Sequence, residues 1–160
     1  MSNLEFSKSI FANELQGTIN IIKAMPEDQL TYTPHIINRT AYEIAEHIAA
    51  HVYDFKVILQ EGVCDEKLSF PFSSPNELAN KVKLLWEDTL NIMETYDDEK
   101  WTSEHVELLV AGKLFAAMPR FQMMWFFLND IIHHRGQLSA YIRPMGGKNP
   151  AVYGWSADTV

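Results

Sequence analysis

The amino-acid sequence predicts an all-α fold, a four-helix bundle formed by a single domain over residues 1–160. Four segments place apolar residues at the three- and four-residue spacing of a helix with one buried face. No segment shows a convincing alternation of apolar and polar residues, the pattern typical of a strand. The chain has 160 residues, of which 47% are hydrophobic, and this is enough to form one buried core.

The first predicted helix extends from about Asn3 to Ala24. Ser2 and Glu5 match a capping box, in which each side chain binds the backbone N–H of the other residue. The segment "MPEDQ" ends this helix. The apolar residues that recur at helical spacing are Leu4, Phe11, Leu15, Ile19 and Ile22.

The second predicted helix begins at Thr40 and extends to about Glu61. It follows a proline-containing connection, Leu30–Thr40, and Glu43 completes a second capping box with Thr40. Gly62 ends the helix, because glycine readily adopts the backbone conformation that follows a helix C-terminus.

The third predicted helix has Ser74 as its cap and Pro75 at its first position, where the missing N–H of proline costs nothing. We expect it to reach about Tyr96. The next segment, Asp97–Pro119, has no clear periodicity and is predicted to contain at most a short hairpin.

The fourth predicted helix extends from near Pro119 to about Arg143, where Pro144 and the following glycines end it. Its first part, "RFQMMWFFLND", is rich in methionine and aromatic residues, and this composition favours core packing over a cofactor site. The tail "KNPAVYGWSADTV" is aromatic and turn-rich, so we expect it to pack back on the bundle.

Charge and composition exclude several classes of partner. The net charge of -8 and the pI near 5.1 argue against nucleic-acid binding, which requires clustered Lys and Arg. No run of eighteen uncharged apolar residues predicts a membrane span. The N-terminus lacks the pattern of a signal peptide, and the lone Cys64 cannot form an internal disulfide. We therefore expect a cytoplasmic protein.

The candidate functional residues cluster in the second and fourth helices. Asp130 and His134 are four residues apart and share a helix face, whereas His133 points about 100° away from His134. On the second helix, Glu43, His47 and His51 follow one another at four-residue intervals. If these two faces meet, three nitrogen or oxygen ligands with an open position would form a catalytic metal site.

Two neighbouring side chains have simpler interpretations. Arg135 is expected to form a surface ion pair rather than to bind an anionic substrate. Cys64 has no basic neighbour in sequence that would lower its pKa, so a nucleophilic role is disfavoured.

The run "NDIIHHRGQLSAYIRPMGGKNPAVYGWSAD" resembles the C-terminal signature of the DinB family of YfiT-like metalloenzymes, chiefly through "HHRGQL" and "YGWSAD". Upstream, "TAYEIAEHIAAHVYDF" is similar to the family's second helix, which has a histidine at the position of His47. The resemblance spans essentially the whole chain, although between Phe70 and Ala117 it depends mainly on the helix pattern.

The resemblance implies a four-helix bundle with up-down-down-up connectivity that is frequently a homodimer. It also implies a divalent metal ion, nickel or zinc, held by His47, Asp130 and His134. The first member of the pair on the last helix is often histidine in the family, and this chain has Asp130 instead; a carboxylate is a competent, harder ligand. Glu43 or Gln137 is placed to orient a ligating histidine.

The resemblance further implies a small-molecule substrate. Members of the superfamily with an assigned activity use the metal to activate a low-molecular-weight thiol in transfer or isomerisation, and others are regarded as hydrolases. The sequence thus predicts a metal-dependent transferase or hydrolase, with a non-catalytic dimeric stress-response or metal-binding module as the alternative.

A third interpretation, a di-iron carboxylate bundle, uses Asp130 and His133 as a carboxylate-x-x-His pair. It requires a second pair of this kind, which the segment "EIAEH" does not supply. The third ligand also stays open, because His51 or His133 could replace Asp130. His51 lies about 6 Å along the helix axis from His47, so it is not expected to reach the same ion.

Overall fold

The structure is a computed structural model that describes residues 1–159. Capping residues at the starts of the first three long helices act as the sequence predicts. The side chains of Ser2, Thr40 and Ser74 each accept a hydrogen bond from the backbone N–H three residues later. The described elements are α1 (Asn3–Lys23), a 3-10 turn (Glu27–Gln29), α2 (Ala41–Gln60), β1 (Val63–Asp65), α3 (Pro75–Met93), α4 (Asp98–Ser103), β2 (His105–Val110), β3 (Lys113–Pro119) and α5 (Arg120–Ile142).

The chain is mostly helical, but the predicted all-α class needs correction because the chain also forms a small three-stranded sheet of order β1-β2-β3. The segment predicted to contain at most a short hairpin does form one: β2 and β3 pair antiparallel, and the left-handed Ala111 and Gly112 (φ 50° and 73°) form its turn. Strand β1 pairs parallel with β2. It is only three residues long and buries one side chain, Cys64, so it has no alternation that a sequence pattern could reveal.

The four long helices pack on one another around a common core. Helix α2 contacts α3 and α5, and α1 contacts the same two helices. Helices α2 and α5 are antiparallel, because His51 contacts Phe127 while His47 contacts His134. Helices α2 and α3 are parallel, because Tyr42 stacks on Phe72 near both starts and Lys56 pairs with Asp88 toward both ends.

Aromatic side chains fill the centre of this core. Phe11 of α1 lies edge-on to Phe55 of α2 at 5.0 Å, and Phe55 lies 5.5 Å from Trp86 of α3, measured between ring centroids. The indole N–H of Trp86 donates to the Phe11 carbonyl at 3.0 Å. Much of the Met- and aromatic-rich start of α5 is buried in the same core, as predicted, including Met123, Met124 and Phe127.

Arg120, at the start of α5, binds the end of α2. Its guanidinium donates to the carbonyls of Ile58 and Leu59, which have no partner further along the helix, and it forms an ion pair with Glu104 at 2.9 Å. These carbonyls carry the negative end of the helix dipole, so a buried cation there is favourable. Arg120 therefore fixes one end of the α2–α5 contact.

Arg135 fixes α5 against α1 instead of forming the predicted surface ion pair. It is buried, and its guanidinium lies 2.6 Å from the Glu14 carboxylate and 3.1 Å from the Thr18 hydroxyl. The sequence alone could not show that this side of α5 faces another helix. The tail packs back here, as expected, because the Tyr153 hydroxyl contacts Arg135 and donates to Glu14.

We predict that Glu14→Ala lowers the free energy of unfolding by about 3 kcal/mol, because it leaves a buried guanidinium without a counter-ion. Urea denaturation of the purified variant measures the change. Glu94→Ala is the matched control: Glu94 is 70% exposed and pairs with Lys8, so its loss should cost less than about 1 kcal/mol. Equal effects of the two substitutions would contradict the structural role given to Glu14.

Candidate metal centre

Two histidines of α2 face α5. His47 and His51 lie one turn apart on the same side of the helix, and their ring centroids are 4.1 Å from each other. His134 of α5 closes the group, because its ring lies 4.6 Å from that of His47. The antiparallel packing of α2 and α5 therefore brings together three imidazoles.

All three imidazoles converge on a single carboxylate oxygen. Asp130 Oδ2 lies 2.9 Å from His51 Nε2, 3.1 Å from His47 Nε2 and 3.3 Å from His134 Nε2. The Asp130 side chain is one-third exposed (33%), so the cluster lies at the surface of the core and remains accessible from one side.

Burial and hydrogen bonding act in opposite directions on the acidic member of the cluster. Burial raises the pKa of Asp130, but the hydrogen bonds from His134, His47 and His51 outweigh it and hold this pKa well below its usual range. The carboxylate therefore remains ionised, which is the form that binds a cation.

The two histidines of α2 respond differently to the same surroundings. Burial lowers the pKa of His47 below its ordinary value. Burial also lowers the pKa of His51, but the nearby carboxylates of Asp130 and Asp54 reverse this effect and raise it overall. The neutral imidazole, the form that binds metals, is thus favoured at His47.

A buried carboxylate lies behind His51. Asp54 is only 1% exposed, and its Oδ2 lies 3.8 Å from His51 Nδ1 and accepts the backbone N–H of Lys67 at 3.0 Å. Its other oxygen and His51 Nδ1 have no hydrogen-bond partner among the described residues. Sequence reasoning missed Asp54, although its position three residues after His51 on an otherwise apolar helix face was a usable signal.

Gln137, one of the two residues predicted to orient a ligating histidine, contacts His134. Its side-chain oxygen lies 2.9 Å from His134 Nδ1, and its amide nitrogen lies 2.9 Å from His133 Nε2. His133 itself is exposed and does not join the cluster, in keeping with its direction around the helix. Glu43, the other predicted orienting residue, binds Thr40 at the start of α2 instead.

The structure brings together the three predicted ligands, His47, Asp130 and His134, and corrects the expectation for His51. That residue was expected to lie too far along α2. It reaches the cluster because the Asp130 oxygen lies between the ring nitrogens of His47 and His51 and is close to both. The separation of His47 and His51 along the helix axis therefore did not predict that both side chains would reach the same oxygen atom.

A cavity of about 340 Å³ opens beside the cluster. Glu66, which follows β1, contributes a carboxylate oxygen 3.9 Å from His51 Nε2. The backbone N–H of Glu66 donates to the Leu109 carbonyl, so the sheet places this residue. Sequence reasoning missed Glu66 because it missed β1. The remaining wall consists of Arg39 and of apolar side chains from the hairpin and α5.

Cys64 does not have the properties of a nucleophile. Burial, together with the charges of Asp54, Asp65 and Glu66, raises the pKa of its thiol to about 12. The thiol therefore stays protonated at neutral pH, as its sequence surroundings predicted.

The donor set fits a divalent metal ion. Two groups, His47–Asp130–His134 and His47–His51–Glu66, each place their ligand atoms within 4.8 Å of one another. They share His47 and therefore describe one place in the molecule. Imidazole nitrogens with one or two carboxylate oxygens are ligands used for zinc and nickel.

Fold and cluster together define a largely helical protein with a candidate metal centre between two antiparallel helices. The chain belongs to the DinB family, whose model matches residues 1–159. It is similar to the uncharacterised protein YjoA of Bacillus subtilis (strain 168), with 24% identity over 139 residues, which are 86% of this chain and 88% of YjoA.

Two solved structures share the fold. The crystal structure of YjoA, a DinB-like protein from Bacillus subtilis, aligns with a TM-score of 0.69 at 20% identity and covers 94% of this chain and 99% of that one. A DinB-like protein from Bacillus cereus ATCC 10987 aligns with a TM-score of 0.75 at 18% identity and covers 93% and 97%. Within residues 1–159, none of the helices combines the length and apolar composition needed to cross a bilayer.

Proposed function

We propose that this chain is a divalent-metal-dependent enzyme that acts on a small molecule as a transferase or a hydrolase. The observation that carries the proposal is the approach of three imidazoles to one ionised carboxylate oxygen at the wall of a cavity. A cluster used only for stability would not need an adjoining cavity. Membership of the DinB family supports the proposal.

His47, Asp130 and His134 are the proposed ligands of the ion, and zinc and nickel are the proposed metals. His51 is a proposed fourth donor, because its Nε2 is the imidazole nitrogen nearest to Asp130. Gln137 holds His134 through Nδ1, which leaves Nε2 directed at the cluster. When bound, such an ion would act as a Lewis acid and make a water molecule or a low-molecular-weight thiol a stronger nucleophile at neutral pH.

The other side chains of the site prepare it for this chemistry. The low pKa of Asp130 keeps one negative charge in place over the physiological pH range. Phe127, packed edge-on against His51 at 4.6 Å between ring centroids, shields that imidazole from solvent. The apolar wall of the cavity excludes water from one side and strengthens the electrostatic interactions within it.

The arrangement of the helices and the assembly belong to the same proposal. The helix directions support an up-down-down-up bundle, because α2 is antiparallel to α5 and parallel to α3. We also propose a homodimer, as the family resemblance implies. Several large apolar side chains are exposed on this acidic chain, including Ile36, Ile37 and Trp155.

The metal proposal predicts one divalent ion per chain in protein purified without a metal-affinity tag, measured by inductively coupled plasma mass spectrometry. His47→Ala, Asp130→Ala and His134→Ala should each lower zinc affinity by about 100-fold, and His51→Ala by about 10-fold. His133→Ala is the matched control, since this exposed neighbour on the same helix should have no effect. Equal binding by all five variants would place the site elsewhere, and two ions per chain would favour the di-iron interpretation.

Asp54→Asn is predicted to lower zinc affinity by about 10-fold, because the buried carboxylate favours the tautomer of His51 with its proton on Nδ1 and its Nε2 free to bind. The visible spectrum of the cobalt-substituted protein should change as well, because the negative charge that favours this tautomer of His51 would be lost. Asp88→Asn is the control: Asp88 is half-exposed, lies away from the cluster and pairs with Lys56. An unchanged spectrum together with unchanged affinity would remove Asp54 from the site.

The assembly is tested by sedimentation velocity at micromolar concentration. We expect the mass of two chains, each of 18.4 kDa. A single species with the mass of one chain would contradict the homodimer and would leave the metal proposal unaffected.

A further inference from the structure

Arg39 lies at the cavity beside the imidazole cluster and has an exposed side chain. The other three arginines each pair with a carboxylate: Arg120 with Glu104, Arg135 with Glu14 and Arg143 with Asp158. Within residues 1–159 the Arg39 guanidinium makes no such pair. A cation that remains unpaired at the wall of a cavity, in a chain with net charge -8, is available to a ligand.

The backbone of Arg39 is held in place although its side chain is free. The Tyr141 hydroxyl of α5 donates to the Arg39 carbonyl at 3.3 Å. The next residue, Thr40, is locked into the capping box at the start of α2. A ligand that binds Arg39 therefore meets a side chain on a fixed anchor and has only that side chain to order.

The opposite character is found on the hairpin side of the cavity. Phe115 of β3 and Phe126 of α5 have ring centroids 6.4 Å apart, and these residues are 65% and 43% exposed. Leu108 and Val110 of β2 extend this apolar surface. Covering exposed aromatic rings with an apolar group is favourable, because it removes apolar surface from water.

The charges in the cavity select the kind of anion. Glu66 and Asp130 line the same cavity as Arg39, so one cation faces two carboxylates. A doubly charged phosphate would meet stronger repulsion from these carboxylates than a singly charged group. A carboxylate also matches the planar fork of a guanidinium with two parallel hydrogen bonds.

We infer that the cavity binds a small monocarboxylate with an aromatic or branched aliphatic body, its carboxylate on Arg39 and its body against Phe115 and Phe126. This inference rests on the proposed function, because it names the substrate class of the same site. The cavity volume of about 340 Å³ lies within the range of small-molecule sites. Arg39 is thus a specificity-determining residue, separate from the metal ligands.

Binding of four probes tests this assignment: 3-phenylpropionate, its neutral amide 3-phenylpropionamide, propionate and phenyl phosphate. Each is titrated into the full chain by NMR chemical-shift mapping, once loaded with zinc and once after dialysis against EDTA. We expect 3-phenylpropionate to bind about 10-fold more tightly than the other three probes in both states. Arg39→Gln should abolish the preference for the acid over the amide.

Two further variants separate the parts of the site. Phe115→Ala should weaken the binding of 3-phenylpropionate and leave the affinity for propionate unchanged. Arg143→Gln is the matched control, because it removes the same charge from an exposed arginine outside the cavity. It should leave the affinities for all four probes unchanged.

Several results would overturn the inference: equal binding of the acid and the amide, an unchanged preference in Arg39→Gln, tighter binding of phenyl phosphate, or a preference for the acid that exists only in the zinc-loaded protein. The last result would place the carboxylate on the ion instead of on Arg39. Failure to bind zinc, with the preference for the acid intact, would contradict the proposed metal-dependent function and leave the assignment of Arg39 standing.

Discussion

The contact between α2 and α5 at Asp130 is the interaction on which the site depends. A partly buried carboxylate is unfavourable unless donors surround it, and here the donors come from both helices: His47 and His51 from α2, and His134 from α5 itself. The distances near 3 Å require a fixed separation and a fixed rotation of the two helices. Small shifts of either helix would separate the imidazoles from the carboxylate.

Two buried arginines maintain this geometry from outside the cluster. Arg120 binds the last carbonyls of α2 and so sets where that helix ends relative to α5. Arg135 follows His134 directly in the sequence and pairs with Glu14 of α1. This ion pair fixes the rotation of α5 about its axis next to His134. The buried arginines therefore position the candidate ligands, while the aromatic side chains around Phe55 and Trp86 fill the core.

The sequence predicted the parts that depend on local patterns. Helix starts could be predicted because capping residues act within four positions. Helical spacing placed Asp130 and His134 on one face, and the resemblance to the DinB family implied their grouping with His47. Longer-range features were not accessible. Strand β1 exists only through its pairing with β2, so Glu66 was missed with it. The burial of Arg135 depends on which helix lies opposite. The contact between His51 and Asp130 depends on the distance between α2 and α5, which residue spacing in the sequence does not give.

The parallel pairing of β1 with β2 has a consequence for how such a protein can be modified. Residues that line the apolar side of the cavity, such as Leu108 and Phe115, and the acidic Glu66 all belong to or adjoin one sheet that lies outside the four long helices. The histidines and the aspartate of the cluster, His47, His51, Asp130 and His134, are all on helices. Exchange of the hairpin between relatives would therefore change part of the cavity wall and leave these four side chains in place.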